Sequence, residues 1–119
     1  MRLMLLQTTT TKSNAKLLIQ TALEQGLSPC IQQKQIQSHY MWAEDSKPKK
    51  VISEEEILLN FKVFKKDFKK LKKLILKHHS YTLPEIVGIK LYKVSKPYKK
   101  WCKNAFKETM EQRVALVLE

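Results

Sequence analysis

The densest run of groups able to do chemistry is His78-His79-Ser80-Tyr81-Thr82-Leu83-Pro84-Glu85. Imidazole suits Cu, Zn and Ni, a thiolate such as that of Cys30 favours Cu(I) or Zn, and a carboxylate such as Glu85 adds a hard oxygen. Adjacent histidines point about 100° apart on a helix, so His78 and His79 do not form a clamp. The helical wheel places His78 on an apolar arc and assigns it to packing near the core, which leaves His79, at the helix end, as the ligand candidate. Cys30 reads by default as a small buried hydrophobe and Cys102 as a helix residue without special chemistry. No C-x-x-C or H-x-x-x-H spacing occurs, so a metal site has to be assembled by the fold, between chains included. Lys62 lies inside the apolar stretch Ile57 to Phe64, where a half-buried ammonium needs an anionic partner or a wet cleft. Glu56 or Glu85 can supply the charge, as an ion pair or as part of a binding site. Tyr40, Trp42, Tyr81 and Trp101 fit core packing and a ligand surface equally well.

Composition narrows the classes. The chain has 119 residues, 43% hydrophobic and 29% charged, which suits one folded domain spanning 1–119. Its two glycines, Gly26 and Gly88, rule out a glycine-rich phosphate loop, and no nucleophile elbow is present, so the chain reads as a non-enzyme. Two cysteines make no disulfide framework, and no leader or membrane-spanning run is visible, so a cytoplasmic protein is expected. A net charge of +12 calls for an anionic partner to be considered.

The positioning elements follow from periodicity. Arg2 to Thr8 reads as a strand, with Thr8 to Thr11 as turn or cap. Ala15, Leu18, Ile19, Ala22 and Leu23 make one helical face that ends at Gly26. From Cys30 to Trp42, Ile36, Ser38, Tyr40 and Trp42 alternate as on a strand, and after a polar loop over 43–50 a second strand runs from Val51 to Val63. Phe64 to His79 returns to helical spacing, with Phe64, Phe68, Leu71, Leu74, Ile75 and His78 on one side. Opposite them stand Lys65, Lys66, Lys69, Lys70, Lys72, Lys73 and Lys77, which with Asp67 carry half the net charge. Ile86 to Leu91 is the fourth strand, and from Ser95 a third helix groups Tyr98, Trp101, Ala105 and Met110. The tail 113–119 suits strand or helix. The order is β-α-β-β-α-β plus a helix, an α+β split βαβ arrangement of ferredoxin-like type with a long β-hairpin.

Four stretches carry a family resemblance: Ile36-x-Ser38-x-Tyr40-x-Trp42, Glu56 to Lys62, His79-x-Tyr81-x-x-Pro84-Glu85-Ile86, and Tyr98-x-x-Trp101. Over Thr8 to Trp101 the sequence resembles CutA, the divalent-cation-tolerance proteins related in fold to PII signalling proteins. The resemblance implies a homotrimer with hairpins paired across chains. It also implies an intersubunit cleft lined by Tyr40, Trp42, Lys62, His79, Tyr81 and Glu85, and copper or another divalent ion such as zinc, with Cys30 and His79 as ligands. The chain departs from the family pattern at Gln33-Lys34-Gln35, where Pro-Gly is usual, in a longer loop after Trp42, at Ser80 and Thr82, and in its basicity.

Two functions follow as expectations. One is a trimeric, non-enzymatic protein of metal homeostasis that holds an ion or small ligand between subunits. The other is a polyanion or nucleic-acid binder using the lysine face of residues 65–77. That face offers no arginine fork and no interleaved aromatic, which disfavours specific nucleic-acid recognition.

Overall fold

The computed structural model describes residues 1–107. Met110 and the tail 113–119, for which the sequence suggests helix or strand, lie outside the described residues. The elements are β1 (Leu3–Thr10), α1 (Lys12–Glu24), β2 (Cys30–Trp42), β3 (Lys50–Phe64), a short 3-10 turn (Lys65–Asp67), α2 (Phe68–His78), β4 (Val87–Lys90) and α3 (Lys96–Asn104). They form one sheet in the order β2-β3-β1-β4, with every neighbouring pair antiparallel. The expected β-α-β-β-α-β chain order with an added helix is the one observed.

Strand alternation divides the sheet into two faces. On the inner face Leu6, Ile57, Leu59, Phe61 and Val63 meet Ala15, Leu18 and Ala22 of α1 and Leu71 and Ile75 of α2. Each large side chain removed from water here contributes about 1.5–3 kcal/mol. The lysines of α2 stand on its solvent side, with Leu76 half exposed among them. On the outer face α3 covers one end only, packing Cys102 and Tyr98 on Leu3 and Phe64. Phe64, which the helical wheel places on the second helix, is the last residue of β3 and pairs with Leu3. Cys102 rather than Trp101 is the buried anchor of α3, because Tyr98, Cys102 and Ala105 follow the i, i+4, i+7 stripe and leave Trp101 exposed.

The threonine run is strand up to Thr10 and cap only at Thr11, whose hydroxyl accepts from the Asn14 N–H at 3.2 Å. β-branched threonines suit the pleat, and both Thr8 and Thr10 are fully buried on the inner face. α1 ends in a Schellman turn: Gly26 takes φ 66, its N–H bonds to the Leu23 carbonyl, and the Leu27 N–H reaches the Ala22 carbonyl. β2 pairs with β3 without interruption from Cys30↔Lys62 to Trp42↔Lys50, so the polar residues at Gln33 to Gln35 put no bend in the ladder. β1 accompanies β3 only as far as Thr10↔Ile57. Beyond it, Ile36 to Trp42 and Lys50 to Glu56 project as a two-stranded arm of roughly 20 Å. Among the described residues no helix is long and apolar enough to cross a membrane.

One buried side chain ties three elements together. Asn14 of α1 accepts from the Thr10 hydroxyl (2.6 Å) and the Ser80 N–H (3.2 Å) through Oδ1, and donates from Nδ2 to the His78 carbonyl (2.9 Å). It thereby fixes where α2 stops and where the chain leaves for β4. Asn14→Ala strips partners from all three groups and is expected to lower stability by about 2–4 kcal/mol in urea unfolding. A loss below about 0.5 kcal/mol would show that water replaces the amide without cost.

Candidate functional site

β4 pairs with β1 only over Met4 to Gln7, so the Thr8–Thr10 end of β1 has an open edge. The segment after α2 crosses this edge from the inner to the outer face, and His79 is its fastening. The imidazole Nε2 lies 3.0 Å from the Thr9 carbonyl and 3.2 Å from the Thr8 hydroxyl, while Nδ1 accepts from the Tyr81 N–H at 3.1 Å. A carbonyl must accept and an amide must donate, which fixes the neutral tautomer protonated at Nε2. The one imidazole lone pair, on Nδ1, is therefore already bonded to the chain's own backbone.

Having crossed the edge, Tyr81 reaches the outer face of β3 and donates its hydroxyl to Glu56 Oε2 at 2.7 Å. Two residues farther out, Tyr40 donates to Glu54 Oε1 at 2.6 Å, and Trp42 stands edge-on to Tyr40 at 6.5 Å. Glu85 accepts from Gln7 Nε2 at 3.0 Å. The tyrosines, Trp42 and the three carboxylates line a cleft of about 750 Å³ with Thr9, Ser38 and Leu83. Its three carboxylates, Glu54, Glu56 and Glu85, have no lysine or arginine among the lining residues, so the hollow is acidic on a chain of net charge +12. The hydrogen bond to Glu54 pushes the Tyr40 phenol up to about 12. Burial, and then Glu56, raises Tyr81 as well. Both phenols stay protonated at neutral pH and hold one oxygen of each carboxylate.

Of the predicted site residues, Tyr40, Trp42, Tyr81 and Glu85 converge on this cleft, and His79 sits behind it, its ring 5.0 Å from that of Tyr81 and tilted by 49° to it. Cys30 and Lys62 do not join them within one chain. They face each other at the opposite end of the outer face, and β2 sets Cys30 and Tyr40 ten positions, about 33 Å, apart. Neither Glu56 nor Glu85 serves Lys62: Glu56 lies six positions away along β3, about 20 Å, and Glu85 pairs with Gln7. The Lys62 ammonium instead donates to Gln32 Oε1 at 2.7 Å and lies 3.8 Å from the Cys30 sulfur. His78 is half-buried and enters the polar scheme through its carbonyl. Among the described residues, no group of three or more His, Cys, Asp or Glu is placed to hold a metal ion. Sequence reasoning missed Glu54, although its two-residue offset from Glu56 signals a shared face. It also missed Asn14, whose position in the first helical turn gives no sign of its long-range bonds.

Burial lowers the pKa of His79 below 6.5, against the opposing pull of the Thr9 carbonyl and Glu56. The folded state thus resists a proton that the unfolded chain takes up. Stability is full above about pH 6.5 and falls as the pH drops below it. Urea unfolding between pH 8 and pH 5 is expected to show this fall in the wild type and a flatter profile in His79→Gln; identical profiles would remove His79 as the group responsible.

Comparison with known proteins accords with this geometry. The family model described as CutA1 divalent ion tolerance protein matches residues 3–105. A probable divalent-cation tolerance protein cutA homolog of Encephalitozoon cuniculi is 29% identical over 83 residues, covering 70% of this chain and 68% of that protein. The structure of CutA from Synechococcus elongatus superposes with a TM-score of 0.80 at 30% identity, over 87% of this chain and 89% of the other. That of CutA1 from Oryza sativa gives 0.79 at 24% identity, over 91% and 96%, and speaks for the fold alone. With the family model spanning β1 through α3, the chain belongs to the CutA1 divalent ion tolerance protein family.

Proposed function

We propose that the chain acts as a non-enzymatic homotrimer in the cytoplasmic response to divalent metal ions, taking a cation such as Cu(II) or Zn(II), or a small cationic ligand, at a seam between copies. The observation that carries this reading is the acidic cleft bounded by Glu54, Glu56 and Glu85 on a chain of net charge +12. Field lines concentrate in such a hollow and raise the local concentration of cations. Each tyrosine-bound carboxylate keeps a second oxygen for a ligand.

Assembly is supported by the projecting arm. An isolated two-stranded hairpin is marginal in water, and this one exposes Tyr40, Met41, Trp42 and Val51 near its tip. Packing against another copy covers these side chains. It also offers a way to bring the Cys30–Lys62 end of one chain to the cleft of the next, which one chain cannot do. If Cys30 and His79 are to share an ion, they do so across such a seam, and His79 must release the Tyr81 N–H to coordinate.

Light scattering is expected to give three times the 14.0 kDa chain mass; a monomer would leave the half-sites apart and end the seam reading. Calorimetric titration with Zn(II) and Cu(II) is expected to weaken by about tenfold or more in the Glu54→Gln/Glu56→Gln double variant. Unchanged affinity would dismiss the acidic cleft as the seat. A loss of binding below about pH 6 that disappears in His79→Ala would assign the imidazole a ligand role; loss in wild type and variant alike would deny it.

A further inference from the structure

Between Lys90 and Lys107 the chain carries seven lysines and no aspartate or glutamate, a second cationic run besides that of α2. It differs from the first in holding aromatics among its charges. Tyr98 packs on Leu3 and Phe64, and Trp101 stacks on Tyr98, close to the Cys30–Lys62 end that assembly would cover. Tyr92 has no such use: its side chain is 90% exposed, with the Lys93 ammonium 5.5 Å from the ring centre. Topology gathers further cations around this ring. Met4 pairs with Lys90 in the antiparallel ladder, so the residues before Met4 run alongside those after Lys90. Arg2, Tyr92 and Lys99 accordingly line one recess of about 400 Å³, together with Leu3, Leu91 and Val94. From β3 the Lys65 N–H bonds to the Arg2 carbonyl at 2.8 Å, which fixes the start of the α2 lysine run beside it. Arg2, Lys65, Lys93 and Lys96 are exposed and Lys99 is half-buried. All of them stand at the end of β1 opposite the Thr8–Thr10 edge, so the acidic cleft and this cationic pole occupy opposite ends of the sheet.

We propose that this pole binds single-stranded nucleic acid, with a base stacked on Tyr92 and backbone phosphates paired with Arg2, Lys65, Lys93, Lys96 and Lys99. Charge names the partner's backbone. An isoelectric point of about 9.8 and a run without carboxylates favour a polyanion, and each phosphate that is paired releases a counterion. The aromatic then decides which polyanion. A flat, exposed ring gains most contact from another flat face, which a nucleobase offers and a sulfated sugar or a lipid headgroup does not.

Strandedness follows from the same ring, because in a duplex the base faces are already stacked on one another. Stacking and phosphate pairing read no base edge, so this binding tolerates any sequence. The lysine face of α2 lacks such a ring, which confines it to the diffuse attraction of like charges. No residue of the pole belongs to the acidic cleft, so failure of either reading leaves the other intact.

The test uses the full chain in its native assembly and a fluorescein-labelled oligouridine of about 12 nucleotides, followed by anisotropy. Saturable binding is expected at about 50 mM salt, falling with a log–log salt slope of about −3.5, which is five phosphates at about 0.7 each. The Arg2→Gln/Lys99→Gln double variant is expected to flatten that slope by about 1.4. Tyr92→Ala is expected to weaken binding about tenfold at unchanged slope, and Tyr92→Phe, which keeps the stacking face, to stay within about twofold of wild type. Tyr92 is solvent-exposed, so neither change threatens the fold. When the probe is annealed to oligoadenosine, the difference between wild type and Tyr92→Ala is expected to vanish. Absence of binding at about 50 mM salt, unweakened binding by Tyr92→Ala, or equal loss in Tyr92→Phe would each overturn the proposal. So would a Lys69→Gln/Lys73→Gln variant of α2 that loses as much slope as Arg2→Gln/Lys99→Gln, since net charge alone would then account for the binding. Capture on phosphatidylserine vesicles in place of the oligonucleotide would assign the surface to lipid and overturn it likewise.

Discussion

The open edge at Thr8–Thr10 is the constraint around which the cleft end of the molecule is arranged. β4 is too short to cover it, and an uncovered strand edge invites pairing with another chain. Here the chain closes part of it with side chains. His79 satisfies the Thr9 carbonyl, Asn14 holds the carbonyl of His78 and the N–H of Ser80, and Thr10 is locked to Asn14. Because these bonds are partly or fully shielded from water, leaving any of them unmade costs more than making it gains. Tyr81 reaches Glu56 only because the backbone from His79 to Tyr81 is held across the edge. The cleft's aromatic wall is thus a consequence of inner-face polar bonding, transmitted through four residues of chain.

Charge separates the molecule into regions with different tasks. The lysines of residues 65–77 stand on the solvent side of α2, across the sheet from the cleft, and nothing aromatic interleaves them. Exposed like charges of this kind keep a protein soluble and steer anions weakly at physiological salt, where screening is effective beyond about 8 Å. Glu54 and Glu56 of β3 and Glu85 of the segment before β4 are gathered instead on the outer face, where each is bonded to a tyrosine or glutamine and none is cancelled by a bonded lysine. A chain can therefore be strongly basic overall and still offer a cation-attracting hollow, since what a ligand meets is the field at the site rather than the net charge.

Much of this was legible in the sequence, and the failures have physical causes. The alternation of Ile36, Ser38, Tyr40 and Trp42 placed four residues on one strand face, as the β2–β3 register bears out. Helix and strand order followed from periodicity. The threonine run misled because the same residue type caps helices and packs well in strands, and only the inner-face burial of Thr8 and Thr10 decides between these uses. On α3 the spacing groups Trp101 with Tyr98 and Ala105, yet the sheet is met by the stripe through Tyr98 and Cys102, and Trp101 is exposed. The partner of Lys62 was sought among carboxylates, whereas strand register puts the neutral Gln32 beside it and delivers Glu56 to Tyr81 from a loop 25 residues away. Register and loop closure are long-range quantities, and no local window contains them.

The length of β2 bears on how any ligand can be held. Cys30 and Lys62 at one end and Tyr40 and Trp42 at the other belong to the same face of the same two strands, yet about 33 Å of extended chain separates Cys30 from Tyr40. A metal–ligand bond is roughly 2–2.6 Å and a small molecule spans several times that, so no single ligand bridges the two ends within one copy. Each end must then either work alone or meet the other end of a neighbouring copy. The acidic end is open and built from hard oxygen donors; the sulfur end is half-buried and flanked by an ammonium. Oxygen and sulfur donors are thereby kept apart on one face. On the reading proposed above, association of copies along the projecting arms is what would bring the open end the further donors that its own chain holds out of reach.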